Sequence, residues 1–153
     1  KRLRAAAREI PAERTLLRCS MENSLGRALR EEGHDVVATP RPAEAERLLA
    51  ERAFDVLVVD NRMPGKTGLE LIRDLVQGSP EGERPQVILM TAHATVDNAI
   101  EAMKLGAFDY LLKPVGIDEL VYKIEDAHRK KSFQEEKIQR LRATAEARRD
   151  EEG

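Results

Sequence analysis

Three polar residues stand directly behind strand-like runs, and their side chains have the chemical types that phosphoryl transfer uses. Asp60 follows the apolar run Val56–Val59, and Thr91 and Lys113 each follow a later run of β-favouring residues. A carboxylate can act as a nucleophile toward phosphorus, and the acyl phosphate that forms needs positive charge and hydrogen-bond donors around its oxygens. Lys113 would supply the charge and Thr91 the hydroxyl. Taken singly, Asp60 is equally well a turn former, Lys113 its salt-bridge partner and Thr91 a loop cap.

The elements that must position these residues form an alternating series of strands and helices. Strand-like and helix-like segments alternate from about residue 14 to residue 130, which is typical of repeated βα units around a parallel sheet. Val56–Val59 has no polar alternation, so helices should cover both of its faces. Because parallel strands present their carboxyl ends at one edge, we expect Asp60, Thr91 and Lys113 to meet there.

Start and stop signals predict the helices between these strands. Pro42 opens one helix, and Thr67 with Glu70 forms a capping box at the start of another. The next helix starts near Thr95 and ends at Gly106. We expect this helix to turn four apolar residues inward, namely Val96, Ala99, Ile100 and Met103. A final helix does the same with Ile117, Leu120, Val121 and Ile124.

Composition narrows the class of protein. The 153 residues are 41% hydrophobic and 35% charged, which suits one globular domain with solvated helical appendages. The formal net charge of −2 argues against a dedicated nucleic-acid surface. Cys19 is the single cysteine, and no run reaches transmembrane length, so we expect a cytoplasmic protein with no membrane contact. The chain starts at Lys1 without Met, so further domains are compatible with it.

The segments DVLVVDNRMPGKTGLEL and VILMTAHATVDNAIEAMKLGAFDYLLKP closely resemble the receiver (CheY-like) domain of two-component response regulators. The resemblance covers about residues 14 to 130. It implies a flavodoxin-like α/β fold, doubly wound, whose five-stranded parallel sheet has the order 2-1-3-4-5 and is flanked by five helices. It also implies a cis peptide bond between Lys113 and Pro114.

The same resemblance assigns roles to the candidate residues. Asp60 would be the phosphoacceptor, Thr91 the switch hydroxyl, Lys113 the lysine that pairs with the phosphate, and Tyr110 an aromatic switch. Mg²⁺ would bind to Asp60 and to the backbone carbonyl of Arg62. The partner would be a sensor histidine kinase or a phosphotransfer protein.

The end of the first strand departs from the family pattern. Receivers carry two adjacent acids there, but if Thr15–Arg18 is that strand, Cys19 and Ser20 stand in their places. A thiol and a neutral hydroxyl are poor ligands for Mg²⁺, which prefers hard oxygens, so we expect weakened metal binding. Glu22 is the nearest acid; it is either a replacement ligand or a first-turn helix acid.

The N-terminal part supports a second interpretation. Leu17, Met21, Leu25 and Leu29 recur every four residues, which also fits a single helix from about Pro11 to Arg30. We favour the strand, since a receiver sheet without its first strand would leave the second and third strands unpaired.

Two extensions flank the predicted receiver. Residues 1–13 form a basic extension or linker, and residues 131–153 form a charged helical tail. Ile138, Leu141 and Ala145 follow a 3-4 spacing in the tail. This spacing is compatible with a homodimer through a short coiled coil and equally with a solvated helix.

Three functions compete for this sequence. The first is a phosphorylated signalling switch, which is not an enzyme beyond its own phosphorylation and dephosphorylation. The second is a degenerate receiver that acts as an interaction or dimerisation module without phosphorylation. The third is an aspartyl phosphohydrolase like the haloacid dehalogenases, but Arg62 occupies the position of their general acid and cannot donate a proton at neutral pH.

Overall fold

The computed structural model describes residues 15–19, 24–63, 65–92 and 96–152, which form an alternating α/β domain. Its strands are β1 (Thr15–Cys19), β2 (Asp35–Thr39), β3 (Val56–Asp60), β4 (Gln86–Thr91) and β5 (Asp109–Leu112). Its helices are α1 (Ser24–Glu31), α2 (Pro42–Glu51), α3 (Gly68–Gly78), α4 (Val96–Leu105) and α5 (Ile117–Glu152). A 3₁₀ turn at Glu81–Glu83 precedes β4.

The strands form one parallel sheet in the order β2-β1-β3-β4-β5, which confirms the expected topology. The first strand is present, because Thr15–Cys19 pairs with β2 on one side and β3 on the other. The alternative of a single helix from Pro11 to Arg30 is therefore wrong. Without β1, the facing backbone groups of β2 and β3 would lack hydrogen-bond partners, and this cost outweighs the four-residue spacing of Leu17, Met21, Leu25 and Leu29.

Two apolar layers hold the helices against the sheet. Side chains of β3 alternate between them: Leu57 and Val59 pack toward α2, α3 and α4, whereas Val56 and Val58 pack toward α1 and α5. All five residues of β3 are buried. This alternation explains why the strand is apolar without interruption, since helices cover both of its faces.

Local signals fix the helix ends that border the site. The capping box predicted at Thr67 is present, with Glu70 N–H donating to Thr67 Oγ1 (3.1 Å) and Thr67 N–H donating to Glu70 Oε1 (2.9 Å). Gly106 ends α4 with a φ of 105°, which a glycine adopts without strain. There, Ala107 N–H donates to Ala102 O (3.0 Å), closing the helix end as a Schellman motif does.

The orientation of α4 differs from the expectation. Ile100 and Met103 are each 46% exposed, whereas Ala102 of the same helix is fully buried. The inward assignment of Ile100 and Met103 is therefore wrong. The reason is the position of α4, which packs against α3 and β5; β5 is the edge strand of the sheet among the residues that the structure describes. Apolar type alone does not identify the inward face of such a helix.

Candidate functional site

Asp60 lies at the carboxyl end of the central strand β3 and is only 3% exposed. Asp60 occupies this position because the four preceding residues of β3 pack on both faces of the sheet, which fixes the register of the strand. A carboxylate at this depth needs a partner for its charge, because desolvation of an unpaired carboxylate is costly.

Lys113 supplies that partner. Its Nζ lies 3.0 Å from Asp60 Oδ1, and the lysine side chain is 25% exposed while that of Asp60 is 4% exposed. Lys113 follows β5 directly, and its backbone N–H donates to Thr91 O (2.8 Å). The Lys113–Pro114 peptide bond is cis, as the resemblance implies. The pair is therefore buried on the carboxylate side and reached by solvent on the ammonium side.

Thr91 is the last residue of β4 and is buried. Because β4 pairs with β3 through Asp60 and Met90, Thr91 extends one residue past the level of Asp60. Asn61 N–H donates to Met90 O (2.8 Å), which continues the ladder beyond the strand. The structure thus brings Asp60, Thr91 and Lys113 to one edge of the sheet, as their order in the sequence predicts.

Asn61 is a structural residue of this edge that the sequence does not single out. Its carbonyl accepts from Gly68 N–H (3.0 Å), and its Oδ1 accepts from Leu69 N–H (3.3 Å). These bonds close the loop between Asp60 and α3 onto itself. A Cβ on Gly68 would lie 2.7 Å from Asp60 O and 3.0 Å from Asn61 Cα, so only glycine allows α3 to begin this close to Asp60. In the sequence, Pro64-Gly65 indicates a turn and Gly68 follows Thr67, and these two features point to a tight loop before α3.

Lys66 connects the same loop to two helices through ion pairs. Its Nζ lies 2.7 Å from Glu46 Oε1 of α2 and also contacts the Asp74 carboxylate of α3. Hydrogen bonds to Asp74 and then to Glu46 raise the pKa of Lys66 above its usual range. The lysine therefore stays charged and links two helices across the loop.

The sequence of the chain matches a known domain family. The model of the response regulator receiver domain matches residues 19–125. The chain belongs to the response regulator receiver family. The DNA-binding transcriptional regulator NtrC of Escherichia coli K12 is 44% identical over 103 residues, which cover 67% of this chain and 21% of that protein. The response regulator protein PilR of Pseudomonas aeruginosa is 42% identical over 77 residues, covering 50% of this chain and 17% of PilR.

Solved receivers share the fold. A response regulator receiver domain from Clostridium thermocellum superposes with a TM-score of 0.69 at 32% identity, covering 77% of this chain and 96% of that one. The beryllofluoride-activated NtrC4 receiver domain dimer gives 0.69 and 32%, covering 76% and 97%. Since this chain spans only about a fifth of NtrC, the similarity concerns the receiver alone. Receiver domains are signalling domains rather than classical enzymes, and they interact with histidine kinases or phosphotransfer proteins.

Receiver domains generally bind Mg²⁺ in an acidic pocket. Asp60 and the carbonyl of Arg62 are hard oxygen donors, as Mg²⁺ requires. Cys19 is the last residue of β1 and pairs in register with Val59, the residue before Asp60. Within the described ranges, no group of three or more His, Cys, Asp or Glu residues could hold a metal ion. Ser20 and Glu22 lie outside the described residues.

Tyr110 lies outside the Asp60 cluster. Its side chain is 38% exposed and lines a groove of about 470 Å³ together with four residues of α4, namely Ala99, Ile100, Met103 and Lys104. The outward-turned apolar residues of α4 thus lie beside the predicted aromatic switch. The predicted extension 1–13 lies outside the described residues. No helix in the described part of the chain is both long and apolar enough to cross a bilayer.

Proposed function

We propose that this receiver accepts a phosphoryl group on Asp60 from a phosphohistidine of a sensor kinase or phosphotransfer protein, and thereby switches its protein contacts. The observation that carries the proposal is the buried Asp60 carboxylate with Lys113 Nζ at 3.0 Å from Oδ1. An ammonium at this distance is placed to bind the negative oxygens of a phosphoryl group on Asp60.

The proposed reaction transfers the phosphoryl group from a histidine nitrogen to a carboxylate oxygen. A carboxylate oxygen of Asp60 attacks phosphorus, the P–N bond breaks, and the histidine imidazole leaves with the bonding electron pair. The acyl phosphate carries negative oxygens, of which Lys113 binds one and the hydroxyl of Thr91 another. Water later attacks phosphorus, the O–P bond breaks, inorganic phosphate is released and the Asp60 carboxylate is regenerated.

The switch would pass from this edge to the α4–β5 side. Thr91 is tied to Lys113 by the backbone hydrogen bond, and Tyr110 stands three residues before Lys113 on β5. A hydroxyl drawn toward the phosphoryl group would vacate space behind Thr91, and Tyr110 would turn into it. The groove beside Ile100 and Met103 would then change shape, which alters the surface that a partner meets.

We extend the proposal to the organisation of the chain. Residues 14–130 are the receiver, residues 1–13 an extension, and residues 131–153 a helical tail toward an output that the family resemblance leaves open. In the tail, Leu141 is 61% exposed and Ala145 is also exposed, so a homodimer would use these positions. Contact with a cytoplasmic kinase places the chain in the cytoplasm, and we assign it no direct contact with nucleic acid or membrane.

The test uses phosphoramidate, a small donor whose P–N bond resembles that of phosphohistidine. Intact-mass analysis should show one phosphoryl adduct on the wild-type chain and none on Asp60→Asn. Lys113→Met should form the adduct at least tenfold more slowly, by analogy with the loss of one charge-stabilising donor. An adduct on Asp60→Asn, or equal rates for Lys113→Met and wild type, would contradict the assignment.

A second candidate function is a receiver that acts without phosphorylation. The feature that favours it is that β1 ends on Cys19, a thiol at a position where the family resemblance implies an acid. We propose that Mg²⁺ binds more weakly here than in receivers with the acid pair. If neither phosphoramidate nor a kinase produced an adduct, this second function would be the better account.

A further inference from the structure

Lys131 of α5 is a buried cation at the edge of the sheet opposite Asp60. It is 3% exposed, although lysine is almost never fully buried without partners. Its Nζ donates to Gly82 O (2.9 Å) and to Arg84 O (3.0 Å), both in the segment between α3 and β4. Two carbonyl oxygens therefore hold the ammonium in place of water.

A second polar contact lies one turn further along α5. Gln86 Nε2, at the start of β4, donates to Gln134 Oε1 (3.0 Å). Gln86 itself is buried. The hydrogen bond therefore satisfies a polar group that the sheet would otherwise bury without a side-chain partner.

An apolar contact follows after one more turn. Ile138 Cδ1 lies only 2.3 Å from the position that a Cβ on Gly82 would occupy, so the isoleucine packs directly onto this glycine. Positions 131, 134 and 138 have the i, i+3, i+7 spacing of one helix face. This face continues the buried positions Leu120, Ile124 and Ala127 of the receiver core.

The helix changes character after Ile138. Residues 139–151 are exposed throughout, whereas residues 127, 128 and 131 are buried and 134 and 138 are half-buried. The family match, by contrast, already ends at residue 125. The packed part of α5 is thus more than three turns longer than the family model covers.

We infer that three α5 residues and the segment before β4 form a clamp that locks α5 to the base of the receiver as far as Ile138. The clamp consists of Lys131, Gln134 and Ile138 on α5 with Gly82, Arg84 and Gln86 opposite them. Within the helical tail of residues 131–153, the part up to Ile138 is therefore packed, and the exposed part begins at Gln139. The inference is independent of phosphoryl transfer, since no member of the clamp touches the Asp60 edge.

Hydrogen–deuterium exchange on the full chain tests the clamp. In the wild type, amides of residues 131–138 should exchange more slowly than those of residues 142–150. Lys131→Met keeps the aliphatic length but cannot donate, and it should speed exchange in 131–138 by roughly tenfold while β3 stays protected. Lys137→Met, an exposed lysine on the same helix, is the matched control and should change nothing.

Two results would overturn the inference. One is equal exchange of 131–138 and 142–150 in the wild type, and the other is unchanged exchange in Lys131→Met. If Lys131→Met also deprotects β3, Gln134→Ala decides the matter, because it removes a single hydrogen bond. It should speed exchange in 131–138 by roughly threefold with β3 intact; no change there would contradict the clamp.

Discussion

The two ends of the sheet each hold a lysine inside the fold, and they use it differently. At the carboxyl edge, Lys113 faces the carboxylate of Asp60 and is 25% exposed. At the opposite edge, Lys131 faces two neutral carbonyls and is 3% exposed. The first lysine can exchange its partner for an incoming anion, because solvent reaches it. The second lysine cannot leave without depriving two buried carbonyl oxygens of their hydrogen-bond donor.

The two environments suit two different roles, a reactive site at the Asp60 edge and a packing contact at the Lys131 edge. An ion pair that is half open to solvent costs desolvation energy and returns little stability, so its presence at the Asp60 edge suits a reactive site. Charge-assisted hydrogen bonds to backbone carbonyls stabilise a packing contact and offer no reactive group. Stability should therefore depend on the Lys131 edge and activity on the Asp60 edge.

The largest expected stability effect belongs to Lys131→Met. It leaves two buried carbonyls without their donor, so the free energy of unfolding should fall by about 3 kcal/mol. Urea denaturation followed by circular dichroism measures this change, with Lys137→Met as the control at less than about 0.5 kcal/mol. A loss no greater than that of the control would contradict the claim that the Lys131 edge contributes more to stability than the Asp60 edge.

Gly68→Ala should come next. The new Cβ would meet backbone atoms of Asp60 and Asn61, which cannot rotate away, so we expect a loss of about 2 kcal/mol. Gly78→Ala, at the other end of α3, has nothing within 4 Å of its Cβ and should be neutral or slightly stabilising. The same urea titration compares them. Equal effects of the two substitutions would show that α3 does not need its close approach to Asp60.

Asp60→Asn should change stability by less than about 1 kcal/mol. The substitution removes a buried carboxylate, and the lysine left behind is partly hydrated, so no charge is stranded in the core. Thermal unfolding of the variant and the wild type tests this expectation. A loss above about 3 kcal/mol would mean that the Asp60–Lys113 pair is an anchor like Lys131.

The smallest effect concerns the capping box beside the site. The hydrogen bond from Thr67 N–H lowers the pKa of Glu70 below its usual value of 4.5. A lowered pKa adds stability above the ordinary pKa and loses it as pH falls through the folded-state value. The melting temperature of the wild type should therefore exceed that of Glu70→Gln at about pH 7, and the gap should close toward about pH 3. A gap that stays constant with pH would assign the effect to helix propensity instead of charge.

Much of the fold and of the Asp60 edge follows from local sequence. Val56–Val59 predicts a strand covered on both faces, and the parallel arrangement then places Asp60, Thr91 and Lys113 at one edge. Thr67 with Glu70 predicts the start of α3 because the capping box is a purely local contact.

The remaining features depend on partners that are distant in sequence. In the sequence, Lys131 resembles the other charged residues of a solvated helix. Its burial depends on contact with Gly82, which is 49 residues away in the chain. Asn61 looks like an ordinary loop residue in the sequence, because its role depends on hydrogen bonds from the start of α3. Ile100 and Met103 have the right spacing for a core face, but their exposure depends on where the sheet ends. Local patterns cannot carry such information.

The most direct test of the central claim is intact-mass analysis after incubation with acetyl phosphate, with and without Mg²⁺. The proposed function predicts a single phosphoryl adduct on the wild type and none on Asp60→Asn. Weak metal binding predicts that the adduct rises with Mg²⁺ only at concentrations well above those that saturate receivers with the acid pair. Absence of any adduct at high Mg²⁺, with the folded state confirmed by circular dichroism, would contradict phosphoryl transfer to Asp60 from small donors and favour the phosphorylation-independent module.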